Sequence, residues 1–122
     1  FTDDLLNAAQ QASIPLLPGV SNVSDVMQAM QFGYRDFKFF PAGACGGVAF
    51  IKALHGPFKS VKFCPTGGVD VDNMRDYLTL DNVLAVGGSW VAPRALVRAK
   101  RWSEIEHLAR HATSLNAGDI GG

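Results

Sequence analysis

Lys38 stands in the stretch YRDFKFFPAG, residues 34–43, with Phe37, Phe39 and Phe40 around it and Pro41 and Gly43 just beyond. Lysine is among the residues least often buried, so a cation inside an apolar strand calls for a reason. Alternation along a strand puts Asp36, Lys38 and Phe40 on one face and Phe37 and Phe39 on the other. Phe37 and Phe39 are expected to pack under helices, which turns Lys38 toward the opposite, inner face. An ammonium taken out of water is disfavoured relative to the free amine. A neutral amine attacks a ketone and forms a Schiff base. The protonated imine is an electron sink, and it lets a neighbouring C–C bond break or form without a metal. A snorkelling edge lysine is the plainer alternative. Lys62, in VKFC, sits in a similar setting, shares a face with Cys64 and reads as solvated or helix-facing. Pattern alone does not separate the two lysines.

Two glycine pairs form the second group of candidates. Thr66-Gly67-Gly68 and Gly87-Gly88-Ser89 end neighbouring apolar runs. Consecutive loop amides with two hydroxyls suit a phosphate group, although tight turns without a ligand use the same residues. In eight-stranded barrels the commonest phosphate site follows the last two strands. His107 and His111 are spaced i, i+4, but no third ligand is indicated, so a solvated face and no metal site are expected. His55 sits near a helix end, where it can meet the dipole. Trp90 can wall a pocket or fill core, and Arg94, Arg98, Lys100 and Arg101 read as solvated surface. No isolated carboxylate stands at a strand end; Asp70 reads as a turn or capping residue.

The elements that must hold these residues alternate. Thr2 can cap an opening helix, with Asp3 and Asp4 at its positive end. Ile14–Leu17 reads as a strand ending at Pro18-Gly19. A helix capped by Ser24 follows, with Val26, Met27 and Met30 on its core face and Gly33 as its stop. Residues 36–40 are the second strand, and Gly46-Gly47 opens a helix carrying Val48, Ile51 and Leu54, closed by Gly56-Pro57. Residues 61–64 are the third strand. Asp72 can cap a helix with Met74, Tyr77 and Leu78 inward. Residues 83–86 are the fourth strand. Pro93 can start a short helix, and Ser103 with Glu106 forms a capping-box signature for the last one, with Ile105, Leu108 and Ala109 as its core face. Residues 116–122 read as a frayed tail. The repeat of strand and helix has a period of about 21–24 residues and implies a parallel sheet covered by helices. In such folds the strand C-termini carry the site. Four strands are too few for a closed eight-stranded barrel. An open four-stranded sheet or the second half of a barrel would both fit, and the start inside a helix favours the half-barrel.

Composition removes several function classes. The chain of 122 residues is one domain in size, 48% apolar and 18% charged, with 11 basic and 11 acidic residues. Balanced charge gives no support for nucleic-acid binding. No apolar run reaches the roughly 20 residues that span a bilayer. No basic-then-apolar leader opens the chain, and Cys45 and Cys64 are not spaced as a zinc site or redox pair, so free thiols in a cytoplasmic protein are expected. A start at Phe1 suits a processed N-terminus or an internal piece.

FKFFPA, the Gly46-Gly47 pair, FCPTGG and GGSW, in that order and spacing, resemble the 2-dehydro-3-deoxy-6-phosphogluconate (KDPG) aldolase family. The resemblance runs from PLLPGV at 15–20 through the last helix. It implies a (β/α)8 TIM-barrel fold, with residues 1–122 covering strands five to eight. It implies reversible cleavage of the phosphorylated keto-deoxy sugar acid to pyruvate and glyceraldehyde 3-phosphate, and in many members cleavage of 4-hydroxy-2-oxoglutarate to pyruvate and glyoxylate. The mechanism implied is that of a metal-free, cofactor-free class I aldolase, in a cytoplasmic homotrimer. By position, Lys38 resembles the Schiff-base lysine, and Phe40 would line the site beside the imine. Thr66, Gly67, Gly68 and Ser89 would hold the phosphate end, Gly87 and Gly88 would shape that loop, and Pro18 would wall the site at the end of strand five. Gly43 stands where the family usually has Glu, and Ala44-Cys45 where Ala-Asn is common. The family's acid/base Glu and the Arg and Thr that bind the pyruvate carboxylate come from strands two and three, which have no counterpart here. Two competing readings are the sister 2-dehydro-3-deoxy-6-phosphogalactonate aldolase and a non-catalytic phosphosugar-binding half-barrel.

Overall fold

The computed structural model describes residues 1–117. Helix α1, Asp3–Gln11, starts where the sequence places it: Thr2 Oγ1 accepts the Leu5 amide at 3.2 Å, and Asp3 and Asp4 occupy the first turn. Strand β1 is Gly19–Val20, not Ile14–Leu17. Two prolines explain the shift, because Pro15 and Pro18 lack the N–H that a ladder needs. Pairing begins only where the Pro18 carbonyl accepts the Lys38 amide at 2.9 Å. Helix α2, Val23–Gln31, is capped by Asn22, not Ser24; Asn22 Oδ1 accepts the Asp25 amide at 3.0 Å, and Asp25 Oδ2 accepts the Ser21 amide at 2.8 Å in return. Val26 and Ala29 are its buried residues, and Met30 is half-buried. Met27, expected on the core face, is 56% exposed.

Strand β2, Asp36–Phe39, is central and pairs in parallel with β1 and with β3, Lys62–Pro65. Between them lies α3, Gly47–Leu54, as the Gly46-Gly47 signal predicts. The fourth run does not form a regular strand. It follows β3 in parallel through the bridges Phe63↔Val83 and Thr66↔Gly87, with the Leu84 amide donating to Phe63 O at 2.9 Å and the Gly87 amide to Pro65 O at 3.0 Å. Among the described residues no further strand lies beside it, and it pairs there on one side only. Helix α4, Met74–Leu78, begins after Asn73, not Asp72; Asp70 Oδ1 accepts the amides of Asp72 and Asn73 and shapes the turn ahead of it. A 3-10 turn at Ser89–Val91 leads to α5, Arg94–Arg98, and α6, Trp102–Ala117. Ile105 and Leu108 on α6 are half-buried and Ala109 is exposed, so the expected core face is only partly packed. Residues 116 and 117 end α6; the rest of the expected frayed tail lies outside the described residues.

Burial follows strand phase. Phe37, Phe39, Val61 and Phe63 are fully buried with Ile51, Leu6 and Val26 from the helices. Phe39 stacks on Phe50 at 5.2 Å between ring centroids and meets Phe63 edge-on at 6.3 Å. The opposite face carries Asp36, Lys38, Lys62 and Cys64, none of them buried. Helices therefore cover one face of this parallel sheet and leave the other open. Parallel sheets occur almost only with both faces covered.

Candidate functional site

The register of β2 on β3 builds the site. Lys38 lies opposite Cys64, and Asp36 opposite Lys62, so both lysines share the open face. Lys38 is nearer the strand C-termini. Lys62 sits at the other end of β3, where its ammonium donates to the Asp81 carbonyl. The helix-facing option for Lys62 is thereby corrected, because Val61 and Phe63 take the helix side. Lys38 itself is exposed, contrary to the expected desolvated position. Phase turned it to the inner face, but nothing in these residues covers that face. Its nitrogen lies 5.0 Å from the centroid of the Phe40 ring.

Beyond Lys38 the loops after β2 and β3 are fastened together. The Ala42 amide donates to Thr66 O at 2.8 Å and the Gly43 amide to Gly67 O at 2.9 Å. Gly67 has φ +83°, and a Cβ there would fall 2.9 Å from Phe40 Cε2. Only glycine meets both demands. A side chain at Gly43 would meet Gly67 O and Gly68 Cα at 3.6 Å, an ordinary contact. A cavity of about 350 Å³ opens here. Lys38 and Phe40 form one wall, Thr66, Gly67, Gly68 and Val69 the second, and Gly87, Gly88 and Ser89 the third. The structure thus brings together every sequence-predicted site residue except Pro18. Pro18 is fully buried and shares the helix-side phase of Val20, while Gly19 pairs with Lys38 and lines a second cavity. Its assignment as a site wall assumed a strand that ends at 18, whereas the strand begins after it.

Thr66 Oγ1 is buried with no hydrogen-bond partner. An orphaned hydroxyl in a cavity wall is costly unless a ligand or water completes it. Val69 is the wall residue that sequence reasoning missed; an apolar residue after a glycine pair carries no chemical signal. The second cavity, about 380 Å³, is lined by Gly19, Ser21 and Asp25 and shares Lys38 and Phe40 with the first. Asp25 is a carboxylate in the lining of this second cavity, and the amide and hydroxyl of Ser21 donate to it in the first turn of α2. A larger opening, about 530 Å³, lies between α4, residues 84–88 and α6. Its walls carry no titratable group, so it offers no chemistry of its own. Among the described residues no helix is long and apolar enough to cross a membrane.

A family model for KDPG and KHG aldolase matches residues 1–108. The chain belongs to this aldolase family. It is 50% identical over 111 residues to the 2-dehydro-3-deoxy-phosphogluconate aldolase of Pseudomonas aeruginosa, covering 91% of this chain and 50% of that one. A solved KDPG aldolase from Legionella pneumophila, with pyruvate captured at low pH as a covalent carbinolamine intermediate, superposes with a TM-score of 0.86 at 49% identity, covering 88% of this chain and 52% of that one. The 2-keto-3-deoxy-6-phosphogluconate aldolase of Zymomonas mobilis ZM4, solved with 3-phosphoglycerate, gives a TM-score of 0.74 at 44% identity over 76% of this chain and 44% of that one. The family and its α/β fold with a parallel sheet are therefore shown. The chain spans about half the length of the curated relatives it matches.

One electrostatic contact stands out on the open face beside the cavity. Burial pushes the Cys64 thiol above its ordinary range, and the neighbouring Lys38 charge opposes that rise. The thiolate is the nucleophile, so iodoacetamide should label Cys64 slowly at pH 8 and faster only as pH rises above the usual thiol range. Lys38→Met removes the opposing charge and should slow labelling further. Mass spectrometry of the labelled peptide checks both; faster labelling in Lys38→Met would contradict the assigned contact.

Proposed function

We propose that residues 1–122 are the C-terminal half, strands five to eight, of a cytoplasmic, homotrimeric (β/α)8 aldolase. It cleaves 2-dehydro-3-deoxy-6-phosphogluconate to pyruvate and glyceraldehyde 3-phosphate through a Schiff base on Lys38, and cleaves 4-hydroxy-2-oxoglutarate to pyruvate and glyoxylate. The observation that carries this reading is a single cavity walled by Lys38, Phe40, Thr66 and the two glycine loops. The open inner face of the sheet supports the half-barrel, since a second set of strands would cover it and desolvate Lys38.

The geometry runs the reaction as follows. The Lys38 amine adds to the substrate C2 carbonyl, and the carbinolamine loses water to give a protonated imine. Loss of the C4 hydroxyl proton breaks the C3–C4 bond. The bonding pair moves toward the imine nitrogen and leaves an enamine, while C4 departs as the aldehyde. Protonation at C3 and addition of water then release pyruvate and restore the amine. The imine is itself the electron sink. Thr66 Oγ1 has no partner within the protein, and the amides around Gly67, Gly68 and Ser89, with the Ser89 hydroxyl, suit the phosphate. The acid/base that moves the protons and the groups that hold the carboxylate come from outside residues 1–122.

Gly67→Ala should raise the inhibition constant of inorganic phosphate about tenfold, because an added Cβ would fall 2.9 Å from Phe40 Cε2 and displace the turn amides, and one hydrogen bond to a charged group is worth about 1.5 kcal/mol. An unchanged constant would remove Gly67 from the phosphate site. The reading as a whole is tested on the full-length protein with the two C4-epimeric substrates, following pyruvate by a coupled assay. Pyruvate and glyceraldehyde 3-phosphate should form in equal amounts from the gluconate. Preference for the galactonate epimer, or no release from either, would overturn it.

A further inference from the structure

The Phe40 ring makes two contacts that join the ends of the site. Its face lies 5.0 Å from the Lys38 nitrogen, within the range of a cation–π attraction. Its edge rests on Gly67, where any added Cβ would come within 2.9 Å of Cε2. The backbone around it is fixed: the Phe40 amide donates to Val20 O at 3.1 Å, and Gly43 and Ala42 tie the following loop to the Thr66–Gly67 turn. The ring is nevertheless 51% exposed, so it is not held there as core. It also forms, with Lys38, the wall shared by the cavity containing Ser89 and the cavity containing Asp25.

We propose that Phe40 is a positioning residue that sets the distance between the Lys38 nitrogen and the Gly67–Gly68 turn, and thereby gives the site its preference for phosphorylated over unphosphorylated keto acids. This rests on the reading of Lys38 as the Schiff-base residue. A phosphorylated substrate is attached at both ends, covalently at the amine and through its phosphate at the turn. It therefore reads any error in the spacing between them. A substrate without phosphate has no attachment at the turn and does not. The partition wall acts in the same direction, since it keeps the chain of an attached substrate on the Ser89 side.

The test uses the full-length protein as wild type, Phe40→Leu and Phe40→Tyr. Leu keeps an apolar side chain without the ring face or its reach to Gly67; Tyr keeps both. Ammonium and protonated imine are both cations over the ring, so losing it affects them alike. Phe40→Leu should still trap pyruvate with borohydride, at a loss smaller than its loss in kcat/KM for 2-dehydro-3-deoxy-6-phosphogluconate. Its kcat/KM for 2-dehydro-3-deoxy-6-phosphogluconate should fall about tenfold, and that for 4-hydroxy-2-oxoglutarate less than about threefold. Phe40→Tyr should keep the wild-type ratio of the two. Equal losses on both substrates, no loss on either, or a Phe40→Tyr ratio like that of Phe40→Leu would overturn the inference. Loss of trapping in Phe40→Leu would also overturn it, since the ring would then be needed for the amine itself. A wild type that traps no pyruvate fails the underlying reading, which separates that failure from this one.

Discussion

Lys38→Met in the full-length protein is expected to lower aldol cleavage by on the order of 1,000-fold or more, with the protein still folded. The side chain lies on the open face and carries no core packing, so its loss removes chemistry and little else. Lys38→Arg should be equally inactive, because a guanidinium keeps the charge and cannot form the imine. Lys62 is the internal control. It occupies the same face two residues further down the neighbouring strand, with its ammonium bound to the Asp81 carbonyl. Lys62→Met should keep activity within about threefold of wild type. Steady-state rates of pyruvate release on the three variants decide this. A Lys38 variant with near wild-type turnover, or a Lys62 variant as inactive as Lys38→Met, would assign the nucleophile elsewhere.

Phe39→Ala should be the most destabilising single truncation in the core, by about 3–5 kcal/mol. Phe39 is fully buried, stacks on Phe50 and meets Phe63 edge-on, so it ties β2 to α3 and to β3. A loss of that size is a large part of the 5–15 kcal/mol that ordinarily holds a domain. It would also release the strand that presents Lys38. Denaturant unfolding of the purified variant checks it, read as a shift in midpoint at constant slope. A change below about 1 kcal/mol would mean that the aromatic cluster is not the core that fixes the lysine strand.

Strand phase made the lysine face legible. The FKFF alternation separates the two buried phenylalanines from Lys38 and Phe40, and the register with FCP bears this out. The glycine pairs were legible for a different reason: their order after apolar runs places them at one end of a parallel sheet. Pro18 was misplaced because an apolar run containing prolines imitates a strand that the missing N–H groups prevent. The cap at Asn22 was missed in favour of Ser24, since neighbouring polar residues offer equivalent oxygens and only backbone geometry selects one. The burial of Lys38 was misjudged for a physical reason. Desolvation depends on what covers a face, and the residues that would cover this one do not belong to the sheet that carries it. Choosing Lys38 over Lys62 needed the family resemblance, because both lysines stand in apolar strands with the same phase.

Peptide mapping after borohydride reduction of the full-length protein with pyruvate tests the central claim most directly. The adduct should appear on the peptide containing Lys38, at a mass consistent with one reduced pyruvyl group, and should be absent in Lys38→Met. An adduct on Lys62, or none on any lysine, would contradict it.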